Sequence, residues 1–192
     1  MNPFPSPHSL SNRALRVVWQ SAYFLLFRAT PTALHGWRSM LLRLFGAQVG
    51  RGAHPYPTCK IWAPWNLAMG DHSCLGPYVD CYNVARIELG DYTTVSQYTY
   101  LCGATHDYTK PAMPLVPKPI RIGARAWVAA GAFVGPGITV QEGAVVGARA
   151  CVVRDVPAWT VVAGNPARVI KRRVLEGSTF DGCQVGSLQD KY

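Results

Sequence analysis

Between Ile122 and Val152 an aliphatic residue stands at every sixth position: Ile122, Val128, Val134, Val140, Val146 and Val152. Four places after each comes a small or aliphatic residue: Ala126, Ala132, Ile138, Ala144, Ala150 and Val156. A period of six suits neither an α-helix, which repeats at 3.6, nor a plain strand, which repeats at 2. It suits a short strand and a turn, repeated, with one side chain per repeat sent toward a common axis. The expected architecture is an all-β solenoid, and the chemistry is expected where the rhythm breaks.

The rhythm starts imperfectly at Val49, with Ile61 and Leu67 in phase. It shifts to Met69, Leu75, Cys81 and Ile87, then again to Leu89, Val95 and Leu101, which points to turns of unequal length. Gly70, Gly76 and Gly90 each follow an axis residue, where a tight bend would exclude a large Cβ. The pattern stops at His106. Residues 107–119, DYTKPAMPLVPKP, hold four prolines and no sixfold repeat, so they should leave the coil as an excursion loop. Regular register returns over 120–157 and ends in TVVAGNPARVIK. The chain divides into a tail with short apolar helices (1–46), a solenoid (47–173) and a polar C-terminal tail (174–192).

The N-terminal region has its own character. Val17 to Phe27, VVWQSAYFLLF, is apolar but only eleven residues long, against about 20 needed to span a bilayer. A second apolar run, Trp37 to Phe45, carries Arg38 and Arg43, and Pro31 separates the two. Two short helices fit these runs. They could cap the end of the solenoid, as terminal repeats must, or make a peripheral contact with an anionic membrane face.

Charged residues are only 15% of the chain and hydrophobic ones 49%, a balance that favours subunit association. The net charge of +9 calls for an anionic partner. No nucleic-acid motif accompanies it, so a phosphate-bearing cofactor or an acidic membrane fits better. Six cysteines occur without a C-x-x-C pair, which argues against a zinc knuckle and for small buried hydrophobes. Residues 1–12 lack the order of a secretory leader, and a cytoplasmic location is expected, peripheral to the inner membrane if the apolar helices touch it.

The segments IGARAWVAAGAFVGPGITVQEGAVVGARACVVRDVP and VVAGNPARVIK resemble the hexapeptide-repeat acyltransferases. The His106 region, WAPWNL, DCYNVA and HGW resemble more narrowly the acetyltransferases of colanic acid and related exopolysaccharide synthesis, relatives of the maltose and galactoside acetyltransferases. The resemblance spans residues 35–173. It implies a left-handed parallel β-helix of three short strands per coil, assembled as a homotrimer with active sites in clefts between subunits. It also implies an acetyl-CoA-dependent O-acetyltransferase acting on a sugar or oligosaccharide, which a lipid could carry.

Acetyl transfer to a hydroxyl needs a base, and neutral imidazole suits cytoplasmic pH. His8 lies in the tail, His35 at a helix junction, His54 in the irregular first coil and His72 in a turn. His106 stands where the coil hands over to the loop and matches the family's catalytic histidine. Related sugar acetyltransferases read T-H-P there, whereas this chain reads Thr105-His106-Asp107. Asp107 could orient the imidazole, contact a sugar hydroxyl or cap the loop's first turn.

By the same resemblance Asn83 contacts the acceptor, with Asp80 and Tyr82 beside it. The alternative for Asn83 is a ladder position inside the coil. Ala130, Ala148 and Val153 would line the pantetheine path, with Trp127 at its border. Arg154, Arg168 and Lys171 would meet the phosphates, where a guanidinium can bind through two hydrogen bonds. No metal is required. A γ-class carbonic anhydrase shares the coil but needs three histidines around zinc, and only His72 and His106 fall on regular coils. A non-catalytic scaffold is the other alternative.

Overall fold

The structure, a computed structural model, describes residues 9–175. His8, Cys183 and nearly all of the expected C-terminal tail lie outside the described residues. Helix α1 spans Leu10–Ala22 and starts at Ser9, whose Oγ accepts a hydrogen bond from the Asn12 amide. One π-helical turn, Tyr23–Phe27, prolongs it, and helix α2 follows at His35–Leu44.

The remainder is the left-handed parallel β-helix expected from the period. Its first face stacks Gln48–Val49, Leu67–Met69, Ile87–Leu89, Ile120–Ile122 and Thr139–Val140. Its second stacks His54–Pro55, Cys74–Leu75, Thr94–Val95, Trp127–Val128, Val145–Val146 and Thr160–Ala163. Its third stacks Lys60–Ile61, Asp80–Tyr82, Tyr100–Cys102, Phe133–Val134 and Cys151–Val152. Arg168–Arg172 then turns back antiparallel onto Thr160–Ala163.

The irregular early rhythm has a simple cause. In the first coils Lys60 pairs with Asp80 and Asp80 with Tyr100, twenty residues per coil. After the excursion Trp127 pairs with Val145, eighteen per coil. The two additional residues sit in the corner between the third and first faces, where Pro64–Asn66 forms a 3-10 turn.

Two sequence expectations change. Each repeat sends two side chains inward, not one: Ala126, Ala132, Ala144 and Ala150 are as buried as the valines that follow them. On the second and third faces of the later coils that inward neighbour is alanine, whereas the first face holds Leu67, Ile87, Ile120 and Ile138 there. The glycines are also explained differently. Gly70 and Gly90 are not in left-handed bends. A Cβ on Gly70 would strike the Asp91 backbone one coil on, and one on Gly90 would strike Ala124. Close stacking of coils requires them. Left-handed φ falls instead on His72, Tyr92, Arg125 and Trp159 at one corner and on Tyr78, Tyr98 and Arg149 at the next. Rings there stack between coils, His72 on Tyr92 and Tyr78 on Tyr98, each pair 5.1 Å apart. Such contacts offset part of the cost of that conformation, about 1–2 kcal/mol per residue.

The excursion is more ordered than a loop. Ala104–His106 pairs antiparallel with Leu115–Pro117, and the Lys118 amide closes its base on Gly103 O at 3.0 Å. The ribbon therefore leaves the coil at 104, not 107. Both of its sides are largely exposed, so no alternation marked it in the sequence.

The helices cover the first coils. Trp19, Tyr23 and Phe27 form a buried stripe, and the Trp19 indole donates to Ile61 O at 2.7 Å. Arg38 is fully buried, donating to Pro55 O, Pro31 O and Thr30 Oγ1. Its guanidinium ties carbonyls of the segment before α2 to the first coil. No helix of the described residues is long and apolar enough to cross a membrane.

Candidate active site

His106 is the last residue of the outgoing ribbon strand, and its ring is exposed. Its Nδ1 lies 2.6 Å from Met113 O. A carbonyl oxygen only accepts, so Nδ1 carries the proton and the neutral ring keeps its lone pair on Nε2. The excursion thus supplies both the imidazole and the group that fixes its tautomer. Met113 adopts a φ of 38°, outside the usual range for a side-chain-bearing residue, at the point where its carbonyl turns toward the ring. Nothing in the sequence marked Met113 for this role.

Asp107 faces the loop. Its Oδ1 accepts from the Thr109 hydroxyl at 2.6 Å and the Thr109 amide at 3.1 Å, and Lys110 Nζ stands 3.3 Å from Oδ2. The hydroxyl bond first, then the amide and the lysine, hold its carboxyl below the usual carboxylate range. Of its three sequence readings, the structure shows the cap of the loop's first turn.

Asn83 is fully buried. Its Oδ1 accepts from the Ala63 amide at 3.0 Å while Nδ2 donates to Ala63 O, so the side chain ties two coils at the corner below the ribbon. Asn66 continues this corner by donating to Asn83 O and Val84 O. This is the ladder arrangement that stood beside the acceptor contact in the sequence.

Asp80 and Tyr82 project from the third face toward α1, where they help line a cavity of about 270 Å³ with Trp19, Tyr23, Lys60 and Trp62. Lys60 Nζ lies 3.5 Å from Asp80 Oδ2, and the Trp62 and Tyr82 rings meet edge to face at 5.8 Å. Burial raises the Tyr82 phenol. Sequence reasoning did not include Trp19, Lys60 or Trp62. Lys60 and Trp62 stand one twenty-residue coil before Asp80 and Tyr82, and Trp19 reaches them from helix α1.

The residues expected along the cofactor path fall on two edges. Trp127 stands outward on the second face, half-exposed, with its indole N–H on Ser96 Oγ at 2.9 Å. Ala130 and Ala148 stack on the following corner, joined by Arg149 N–H to Ala130 O. Arg168 and Lys171 lie on the antiparallel strand that ends the same face, three strands from Trp127 and so about 14 Å away at the usual spacing. Val153 and Arg154 are exposed but leave the coil at the corner between the third and first faces, the corner that also emits His106. One chain therefore offers a histidine edge and a tryptophan face that point different ways. Among the described residues no group of three or more His, Cys, Asp or Glu is arranged to hold a metal ion.

No protein-family model matches the sequence. WcaF of Escherichia coli K12, named for acetyl transfer in colanic acid biosynthesis, is 40% identical over 157 residues, 82% of this chain and 86% of that one. The crystal structure of a maltose O-acetyltransferase from Clostridium difficile 630 superposes with a TM-score of 0.79 at 25% identity, over 87% of this chain and 90% of that one. A hexapeptide-repeat acetyltransferase of Vibrio cholerae, VCA0836, solved with acetyl-CoA, gives 0.76 at 26% identity, over 87% and 91%.

Proposed function

The chain belongs to the hexapeptide-repeat acetyltransferases, in the group of WcaF, and on that premise we propose that it moves an acetyl group from acetyl-CoA to a sugar hydroxyl of an exopolysaccharide, with His106 as general base. The observation that carries this reading is the tautomer of His106. With Nδ1–H committed to Met113 O at 2.6 Å, Nε2 is left to take a proton from an incoming hydroxyl. Acetyl-CoA supplies the acyl group as a thioester, whose C–S bond breaks as the ester C–O bond forms. His106 Nε2 removes the hydroxyl proton and returns it to the leaving sulfur, so the base is regenerated.

The rest of the chain positions and shields. Ala130 and Ala148 offer a corner with little side-chain bulk for the pantetheine arm, with Trp127 at its border, and Arg168 and Lys171 the cations for its phosphates. The split between two edges supports assembly as a homotrimer, in which the histidine edge of one copy meets the tryptophan face of its neighbour. Val153 and Arg154 would then act from the histidine side. Asp80 and Tyr82 are the groups nearest that edge for holding the acceptor, a sugar or oligosaccharide on a lipid carrier. Asn83 positions their corner without touching the acceptor.

The test is His106→Ala. Transfer should fall by about 10²- to 10⁴-fold, while acetyl-CoA still raises the melting temperature. Turnover close to wild type would remove His106 from the mechanism. Arg168→Ala should raise the KM for acetyl-CoA more than that for the acceptor, and unchanged KM values would take Arg168 out of the cofactor site.

A further inference from the structure

Helix α1 and its π turn carry apolar residues on more than one side, yet they bury one stripe only. Trp19, Tyr23 and Phe27 face the coils. Their neighbours Val17, Val18, Phe24 and Leu25 are 56–74% exposed, and Leu10, Leu15 and Leu26 are exposed as well. Helix α2 repeats the arrangement: Arg38, Ser39, Leu41 and Leu42 go inward while Trp37, Met40 and Leu44 stay out. The Trp37 indole donates to Leu26 O at 2.8 Å, so the two exposed faces are joined. An outer helix face is ordinarily polar, and a contiguous apolar one marks an interaction surface.

Charge says what that surface meets. The first 70 residues hold seven Lys and Arg and no Asp or Glu; the first acidic residue is Asp71. Among the described residues the ion pairs begin at Arg51, so none neutralises the cations of the hairpin. Arg13 and Arg28 are exposed beside the apolar patch. Apolar side chains flanked by unpaired arginines, on helices too short to span, are the chemistry of a segment lying in the headgroup layer of an anionic bilayer.

We propose that the α1–α2 hairpin is a peripheral docking surface for an acidic phospholipid membrane. The cavity holding Asp80 and Tyr82 opens at the root of this hairpin, lined by Phe24 from the same turn. A glycan anchored in that membrane would therefore present its sugar beside the third face. The docking itself does not depend on the acetyl-transfer reading.

Full-length protein is to be sedimented with vesicles of phosphatidylcholine alone or mixed with phosphatidylglycerol. Binding is expected to the mixed vesicles and to weaken as salt rises. Phe24→Asp with Leu25→Asp should weaken it by roughly tenfold or more. Arg13→Glu with Arg28→Glu, which leaves the apolar surface intact, should weaken binding to the mixed vesicles alone. Acetyl transfer to a soluble sugar, read on the wild type and the Arg13→Glu, Arg28→Glu variant, should be the same in both, and its failure would count against the proposed reaction and not against docking. Wild-type protein that ignores both vesicle types overturns the proposal. So does a Phe24→Asp, Leu25→Asp variant that binds vesicles as wild type does, or one that instead loses its oligomeric mass, since the patch would then be covered by a second copy.

Discussion

The imidazole of His106 is usable as a base because of one main-chain oxygen, Met113 O, 2.6 Å from Nδ1. Nitrogen-15 NMR of the neutral ring should show Nδ1 protonated and Nε2 in the pyridine-like form; the reverse pattern would contradict the role given to Nε2. His106 was legible in the sequence because it stands where a strict period ends. Its partner was not, since a carbonyl leaves no trace in residue type. Asn83 shows the opposite gap: the residue was found, but its direction could not be read. An amide suits a sugar and a neighbouring peptide equally, and here it serves the peptide of Ala63. Asn83→Ala would leave the Ala63 N–H buried without a partner, at about 1–3 kcal/mol, while Ala63 O keeps the Asn66 amide. Urea unfolding should register a loss of that order.

The repeating element is a strand of two or three residues and a corner, and its sequence rules concern what lies inside. Valines and alanines announce themselves because both are buried at fixed spacing. The stacking glycines were visible too, but their reason was not, because the Cβ they lack would meet a coil twenty or more residues away. Gly90→Ala would drive a methyl group into Ala124 and should destabilise by about 1–3 kcal/mol, which a thermal melt would detect. The hairpin and first coils share another property. Burial pushes Cys59 from 9.0 up to about 12 and Tyr23 from 10.0 up to about 12. Both favour the protonated, folded form, so their stabilisation is complete below pH 9 and is lost as the pH climbs toward 12. Urea midpoints should stay level up to about pH 9 and fall from there toward pH 12. A curve that stays flat across the whole interval would contradict their burial.

At the level of the whole molecule, the chain is a prism with a basic, apolar cap at one end and a basic strand at the other. The sequence made the prism legible through its period, and the excursion through the loss of that period. It could not show that Trp127 and His106 look away from one another, because face assignment depends on counting coils of unequal length. Light scattering on purified protein should give a trimer mass if the proposed clefts form between copies. A monomer that retains full activity would require both groups to serve one site within a single chain.

A stack of parallel coils has no natural stopping point, since each new coil offers the next a full set of unpaired amides and carbonyls. At the far end Arg168–Arg172 reverses direction against Thr160–Ala163 and carries three cations outward. A strand running the wrong way, and positively charged, is a poor template for another molecule's coil. Because the helices already cover the first coil, removing that strand should let two copies meet end to end at their bared last coils, and the residues given to the cofactor's phosphates would also be those that keep that end from self-association.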